Sequence, residues 1–251
     1  MSAEEPPTTT GAIALWSAPR SRSTAFLRMM MQRPDVVTLH EPFSHLVDFG
    51  ETEVDGAAVR SESELIAAIL RLSRERLVFF KDTTDFHYPG VLADGRFLTE
   101  VRHTFIIRRP DEVIASHYAL NPALTEPEIG FGRLRELFEA VADATGTTPA
   151  VVDSDALLDD PEGTVLAYCE RTGLDHRPQD LSWQAGAHES WGRAQRWHVD
   201  AEQSTGFVRA ERSYPHTVAN TPLLADYHRT QLPHYEALYR HRLVPAGAPR
   251  P

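Results

Sequence analysis

The chain has little of three things: thiols, ammonium groups and, near its beginning, glycine. Its one cysteine, Cys169, excludes an internal disulfide framework. Its one lysine, Lys81, stands among 25 basic residues, the other 24 being arginines, so an ammonium is kept at a single place. No glycine occurs between Gly11 and Gly50, which excludes a phosphate loop of the form G-x-x-x-x-G-K-[ST] there. Positive charge is scarce as well. A net charge of −11 leaves no broad basic surface, so neither nucleic acid nor an anionic membrane is expected as a partner. No apolar run approaches the roughly 20 residues of a membrane span. Met1 to Gly11 is acidic and rich in Pro and Thr, without the basic and apolar regions of a secretory signal, and a cytoplasmic protein is expected. Internal repeats and low-complexity tracts are also missing.

What remains is an alternation of short apolar runs and amphipathic stretches. Ala12 to Trp16, Val36 to Leu39, Leu77 to Phe80, Thr104 to Ile107 and Ala150 to Val152 read as buried strands. Helices are expected at Phe26 to Met31, at about Glu62 to Glu75, before Thr104, at Asp111 to Tyr118 behind Pro110, at Pro127 to Ala144, and at Pro161 to Thr172 ending on Gly173. Glu51 to Ser63 reads as a polar loop. Strands alternating with helices predict an α/β fold, a mostly parallel central sheet flanked by helices on both faces. At 251 residues a single domain is expected over 12–244, between a disordered segment 1–11 and a frayed tail 245–251. In such sheets ligands bind beyond the carboxyl ends of the strands, so Arg20 to Thr24, Glu41, Lys81 to Asp85 and Arg108 to Ser116 carry the most interest.

Trp16-Ser-Ala-Pro-Arg-Ser-Arg-Ser-Thr-Ala-Phe26 joins the first strand to the first helix. Unpaired N–H groups at the start of such a helix attract a phosphate, and the Ser23 and Thr24 hydroxyls with the Arg20 and Arg22 guanidiniums complete an anion cradle. Farther on, Arg108 at a strand end is followed eight residues later by Ser116, two turns along the next helix. A guanidinium and a hydroxyl so placed reach one phosphate from two sides.

These two motifs resemble those of the sulfotransferases that use 3′-phosphoadenosine 5′-phosphosulfate (PAPS). Pro19-Arg20-Ser21-Arg22-Ser23-Thr24 is similar to the family's 5′-phosphosulfate loop, with Arg22 where glycine is usual, and Arg108 with Ser116 matches its 3′-phosphate motif. Val151-Val-Asp-Ser-Asp-Ala-Leu-Leu-Asp-Asp-Pro-Glu162 resembles a further strand, acidic turn and helix of the family. The likeness spans roughly residues 12 to 174, and beyond it the chain carries little signal.

The resemblance implies a P-loop-like sulfotransferase fold and transfer of a sulfuryl group from PAPS to a hydroxyl or amine of a small-molecule acceptor. It implies donor binding by Arg20, Ser21, Arg22, Ser23, Thr24, Arg108 and Ser116. Arg20 then replaces the loop lysine, and Lys81 corresponds to the lysine after a central strand, near the sulfuryl group. Many relatives carry a basic histidine two residues after that lysine, where this chain has Thr83. Other branches use a glutamate beyond the second strand, a placement that Glu41 matches, with Asp82 and His87 as alternatives and His40 as a group able to orient Glu41. A structural pairing of Glu41 with Arg22 or Arg28 is the competing reading. No metal is expected: His40-Glu41 is followed by His45 rather than completing H-E-x-x-H, and Pro42 interrupts the helix that motif needs.

Trp183, Trp191 and Trp197 read either as part of a lid over the acceptor or as a loop pinned by aromatics, and Ser204-Thr-Gly-Phe207 as an extra phosphate contact. The aromatic stretch and the acidic helix near Pro127 suit a modest-sized cationic or polar acceptor. Thr217-Val218 lacks the flanking lysine and glutamate of the family's dimerisation motif, which leaves the oligomeric state open. Two other readings compete: an ATP-dependent P-loop phosphotransferase, which would need Mg²⁺, and a repurposed sulfotransferase fold that binds a nucleotide without transfer.

Overall fold

The apolar run after Thr10 becomes strand β1 (Gly11–Ser17), followed by α1 (Ser23–Met30), β2 (Val36–His40) and α2 (Pro42–Phe49). A hairpin of β3 (Thr52–Val54) and β4 (Ala57–Val59) leads to α3 (Glu62–Leu72) and β5 (Leu77–Thr83). Then come α4 (Pro89–Ala93), α5 (Gly95–Glu100), β6 (Val101–Ile107), α6 (Pro110–Leu120), α7 (Phe131–Thr145) and β7 (Ala150–Asp153). α8 (Ser154–Asp159), α9 (Pro161–Thr172), α10 (Val199–Gln203) and α11 (Pro222–Tyr239) complete the chain. This computed structural model describes residues 10–186, 199–209 and 212–245. Most of the expected disordered segment and tail, with Trp191 and Trp197, lies outside the described residues.

The five parallel strands stand in the order β2-β5-β1-β6-β7, with β1 at the centre. Alternation along β1 serves two cores. Ala12, Ala14 and Trp16 pack with α3, α5, α6, α7 and α11 on one face, and Ile13 and Leu15 with α1, α8 and α9 on the other. The sheet is thus a buried layer between helical layers, and the fold is a single α/β domain as expected.

Three departures have physical reasons. β5 continues through Lys81, Asp82 and Thr83 because its ladder with β1 runs on to the Ser17–Thr83 pair, and Thr84 N–H donates to the Ser17 carbonyl at 3.0 Å. Backbone pairing, not apolarity, sets that strand's end. The polar stretch 51–63 holds the β3–β4 hairpin, turned by Asp55 and Gly56 with φ of 52° and 76°. That Asp-Gly pair is the favoured chemistry for a two-residue hairpin turn. Helix α11, not anticipated from the sequence, buries Leu224, Gln231, Tyr235 and Leu238 against the helical layer formed by α6 and α7. Pro127 lies in a short 3-10 turn, Glu126–Ile129, before α7 begins.

Candidate active site

The loop from β1 to α1 turns without glycine, and two arginines adopt the left-handed conformation that does the turning. Arg20 has φ 65° and Arg22 φ 68°, a backbone cost of about 1–2 kcal/mol at each. Side-chain contacts hold both in place. The Arg22 guanidinium donates to Ser154 Oγ and Asp155 Oδ1, both at 3.0 Å, and to Glu112 Oε2 at 3.4 Å. Arg20 Nε donates to Ser116 Oγ at 3.0 Å, and the Arg20 carbonyl accepts from Arg108 Nη1 at 3.1 Å. Arg108 also forks onto Glu112, at 2.8 and 2.6 Å. The loop and the Arg108 motif, 88 residues apart, therefore form one unit.

That unit has features that suit an anion. Helix α1 has no side-chain cap and no acidic residue in its first turn, so its positive end is left to a ligand. Ser21 Oγ is sealed from solvent and has no hydrogen-bond partner among the described residues, a cost that a ligand oxygen would remove. Burial, followed by the neighbouring Arg108, draws the Arg22 guanidinium below its usual pKa. Crowded cations of this kind gain from a shared phosphate.

Across the cavity, at the ends of β2 and β5, stands a second group. Glu41 is also left-handed, with φ and ψ of 47°, where β2 turns into α2 with Pro42 in its first helical position. Its N–H donates to the Lys81 carbonyl at 2.8 Å, and Lys81 Nζ donates to Glu41 Oε1. The Lys81 side chain is 1% exposed and that of Glu41 12%, so a nearly buried ammonium is balanced by a carboxylate that reaches the cavity. His40 Nε2 lies 3.8 Å from Glu41 Oε2.

The alternatives fall elsewhere. Asp82 is fully buried and caps α2, accepting from Phe43 N–H at 2.6 Å, Ser44 N–H at 3.2 Å and Ser44 Oγ at 2.6 Å. Burial lifts its carboxyl to about 7, with those hydrogen bonds opposing. It anchors the Glu41 turn and does not line the cavity. His87 is exposed and pairs with Glu136 at 3.4 Å. Arg22 goes to Asp155, and Arg28 donates to the carbonyls of Gln184, Gly186 and Ala201, while Glu41 pairs with Lys81.

The cavity between the two groups measures about 470 Å³, within the range of small-molecule sites. Arg20 to Thr24 and Arg108 line it from one side, and Glu41, Ser44, Asp48, Lys81, Thr83 and Asp85 from the other. Ser204, Thr205, Gly206 and Phe207 close a third side, backed by Trp183, whose indole N–H donates to Ser204 Oγ at 3.2 Å. Ser116 stands behind Arg20, buried, instead of lining the cavity. His117 does line it, its imidazole held neutral, down to about 4, by burial and the charge of Arg20.

The contacts of Arg22 with Ser154 and Asp155 had no local signal, since nothing in the sequence ties the two segments. Asp85 had one: it lies in the turn just beyond a strand end, two residues after β5. Among the described residues, one group has the composition of a metal site: His40, Glu41 and His45, whose ligand atoms lie within 4.8 Å of one another. A cation there would compete with Lys81 for Glu41.

A family model described as "Sulfotransferase domain" matches residues 12–242. Two proteins of Arabidopsis thaliana, branched-chain-amino-acid aminotransferase-like proteins 2 and 1, are 29% and 28% identical to this chain over 219 and 222 residues. The matches cover 82% and 80% of this chain but only 37% of each relative, so the chain spans well under half their length. Among solved structures, a sulfotransferase from Alicyclobacillus acidocaldarius has a TM-score of 0.54 at 14% identity, over 93% of this chain and 97% of that one. That likeness is one of fold.

Proposed function

The chain belongs to the sulfotransferase family, and from that premise we propose that it transfers a sulfuryl group from PAPS to a hydroxyl or amine of a small-molecule acceptor. One observation carries the reading: a cationic phosphate cradle and a carboxylate–ammonium pair, Glu41 with Lys81, face each other across one cavity. Arg20, Ser21, Arg22, Ser23 and Thr24 with the α1 amino end hold the 5′ group, and Arg108 the 3′-phosphate. Ser116 acts by positioning Arg20.

In the reaction the acceptor heteroatom forms a bond to sulfur as the bond between sulfur and the bridging oxygen breaks. The electron pair leaves on the 5′-phosphate, and the acceptor proton passes to the Glu41 carboxylate and on to solvent. Lys81 and Arg20 stabilise negative charge growing on the leaving oxygen. Arginine holds its proton at any working pH, so of Arg20 and Lys81 it is Lys81 that could supply an acidic proton. The left-handed backbone at Glu41 supports a catalytic role, since strain of this kind persists where function holds it.

Among the described residues no helix is long and apolar enough to cross a membrane, and a cytoplasmic setting suits a protein whose one thiol is buried. We take the functional domain to extend over 12–244.

The test is Glu41→Gln. Single-turnover transfer from PAPS should fall by roughly 10²–10⁴-fold, with the affinity for 3′-phosphoadenosine 5′-phosphate (PAP) unchanged in calorimetry. Loss of both would make Glu41 structural, and activity abolished by EDTA would favour the Mg²⁺-dependent phosphotransferase.

A further inference from the structure

The sheet order sorts charge in the cavity. On one side of central β1, the ends of β6 and β7 bring Arg108 and the partners of Arg22. On the other, the ends of β2 and β5 and the turns after them bring Glu41, Asp48 and Asp85, together with Lys81, which is paired to Glu41; Arg212 lines the cavity as well. Among the described residues at the β2 and β5 ends, carboxylates thus outnumber cations.

Asp85 gives this a point of attachment. It lies two residues beyond β5 and lines the cavity. Its Oδ1 is shut off from solvent and has no hydrogen-bond partner among the described residues. Arg133 donates to the Asp85 carbonyl and not to its carboxylate. The carboxyl is pushed up to about 6 by burial, with Glu41 and Asp48 adding to the rise and a hydrogen bond from Thr83 opposing it. A buried carboxylate oxygen without a donor, under the field of two further carboxylates, is stabilised by a cation with N–H donors.

Resting on the transfer reading above, we propose that the acceptor is an amino alcohol, its ammonium held by Asp85 and its hydroxyl presented to Glu41. The two ends cannot exchange roles. An ammonium bound to a carboxylate keeps its proton and has no electron pair for sulfur, so the nucleophile is the hydroxyl oxygen. The product is a sulfate ester that retains the ammonium, with PAP and one proton released. Asp85 acts as a specificity-determining residue, and Asp48 adds to the local field.

The experiment uses the whole chain with propanolamine and pentanolamine, their N-acetyl derivatives, and propanediol. Transfer from radiolabelled PAPS is measured for each, together with calorimetric binding to the PAP-saturated protein. At least one amino alcohol should exceed its N-acetyl counterpart by roughly tenfold or more in kcat/KM, or in affinity where transfer is too slow to follow. Asp85→Asn should cut that ratio several-fold, with unchanged PAP affinity as the sign of an intact fold. Neutral alcohols handled as well as the amino alcohols, no binding of either, or a ratio insensitive to Asp85→Asn each overturns the proposal. Failure to bind PAP would overturn the transfer reading and this inference with it. Retained PAP binding and transfer without a charge preference would overturn the inference alone.

Discussion

The two sides of the cavity, proposed above for donor and acceptor, are built from opposite materials. The first side is cationic and braced: Arg108 holds the Arg20 carbonyl, and Arg20, Arg22 and Arg108 are tied to Ser116, Ser154, Asp155 and Glu112. The other side carries carboxylates, with Glu41 paired to Lys81 and one oxygen of Asp85 without a hydrogen-bond partner among the described residues. A ligand bearing several negative charges calls for a rigid, redundant cradle. Discrimination among small acceptors rests on few groups, each with a large effect when it is left without a partner.

Three perturbations press on this contrast. The largest effect is expected where the two sides meet. Lys81→Met removes the cation beside the leaving group and leaves Glu41 unbalanced, and kcat at saturating donor should fall by roughly 10²–10³-fold. Unchanged turnover would show that the donor side works alone. Next, Arg108→Ala should weaken PAP binding by roughly tenfold or more while hardly altering the affinity for adenosine 5′-phosphate, which lacks the 3′-phosphate. Equal losses for both nucleotides, measured by calorimetry, would move the 3′-phosphate away from Arg108.

The smallest effect concerns stability. Asp85 has its folded pKa raised from 3.8 to about 6, so the folded state binds more protons between those values. The stability this contributes is fully present below pH 3.8 and is lost as pH rises through 6. Asp85→Asn should therefore stabilise the fold at pH 8 by no more than about 3 kcal/mol, seen as a higher Tm. The gain should shrink toward nothing near pH 4. A Tm difference that does not vary with pH would show that the charge of Asp85 is not what the fold resists.

The same contrast explains what could be read from the sequence. The donor loop is contiguous, and its hydroxyls and arginines between an apolar run and a helix were visible at once, as was Arg108 before its proline. The parallel sheet followed from strand and helix alternation. Left-handed backbone at Arg20 and Glu41 was not legible, because without glycine or asparagine nothing in the residue type marks a positive φ; at Arg22 the one hint was that similar loops carry glycine there, and the arginine bears the cost. Nor could the role of Asp82 be seen. Its carboxylate caps a helix that begins forty residues earlier in the chain, and only the pairing of β2 with β5 brings the two together. Helix α11 has a weak sequence signal because Pro233 interrupts its pattern and only a few of its side chains are buried.

The grip of Arg22 on Ser154 and Asp155 also bears on how the protein comes into being. These partners lie 132 and 133 residues farther along the chain. While the chain is being synthesised, β1 and α1 emerge long before anything can brace the turn between them, and a turn without glycine has little reason to hold its shape alone. The proposed donor site is thus completed late: the cradle gains its Ser154 and Asp155 contacts only once β7 has joined the sheet and α8 has been laid down beside it. A chain halted before residue 154 would carry the complete loop motif and still lack the side chains that close around it.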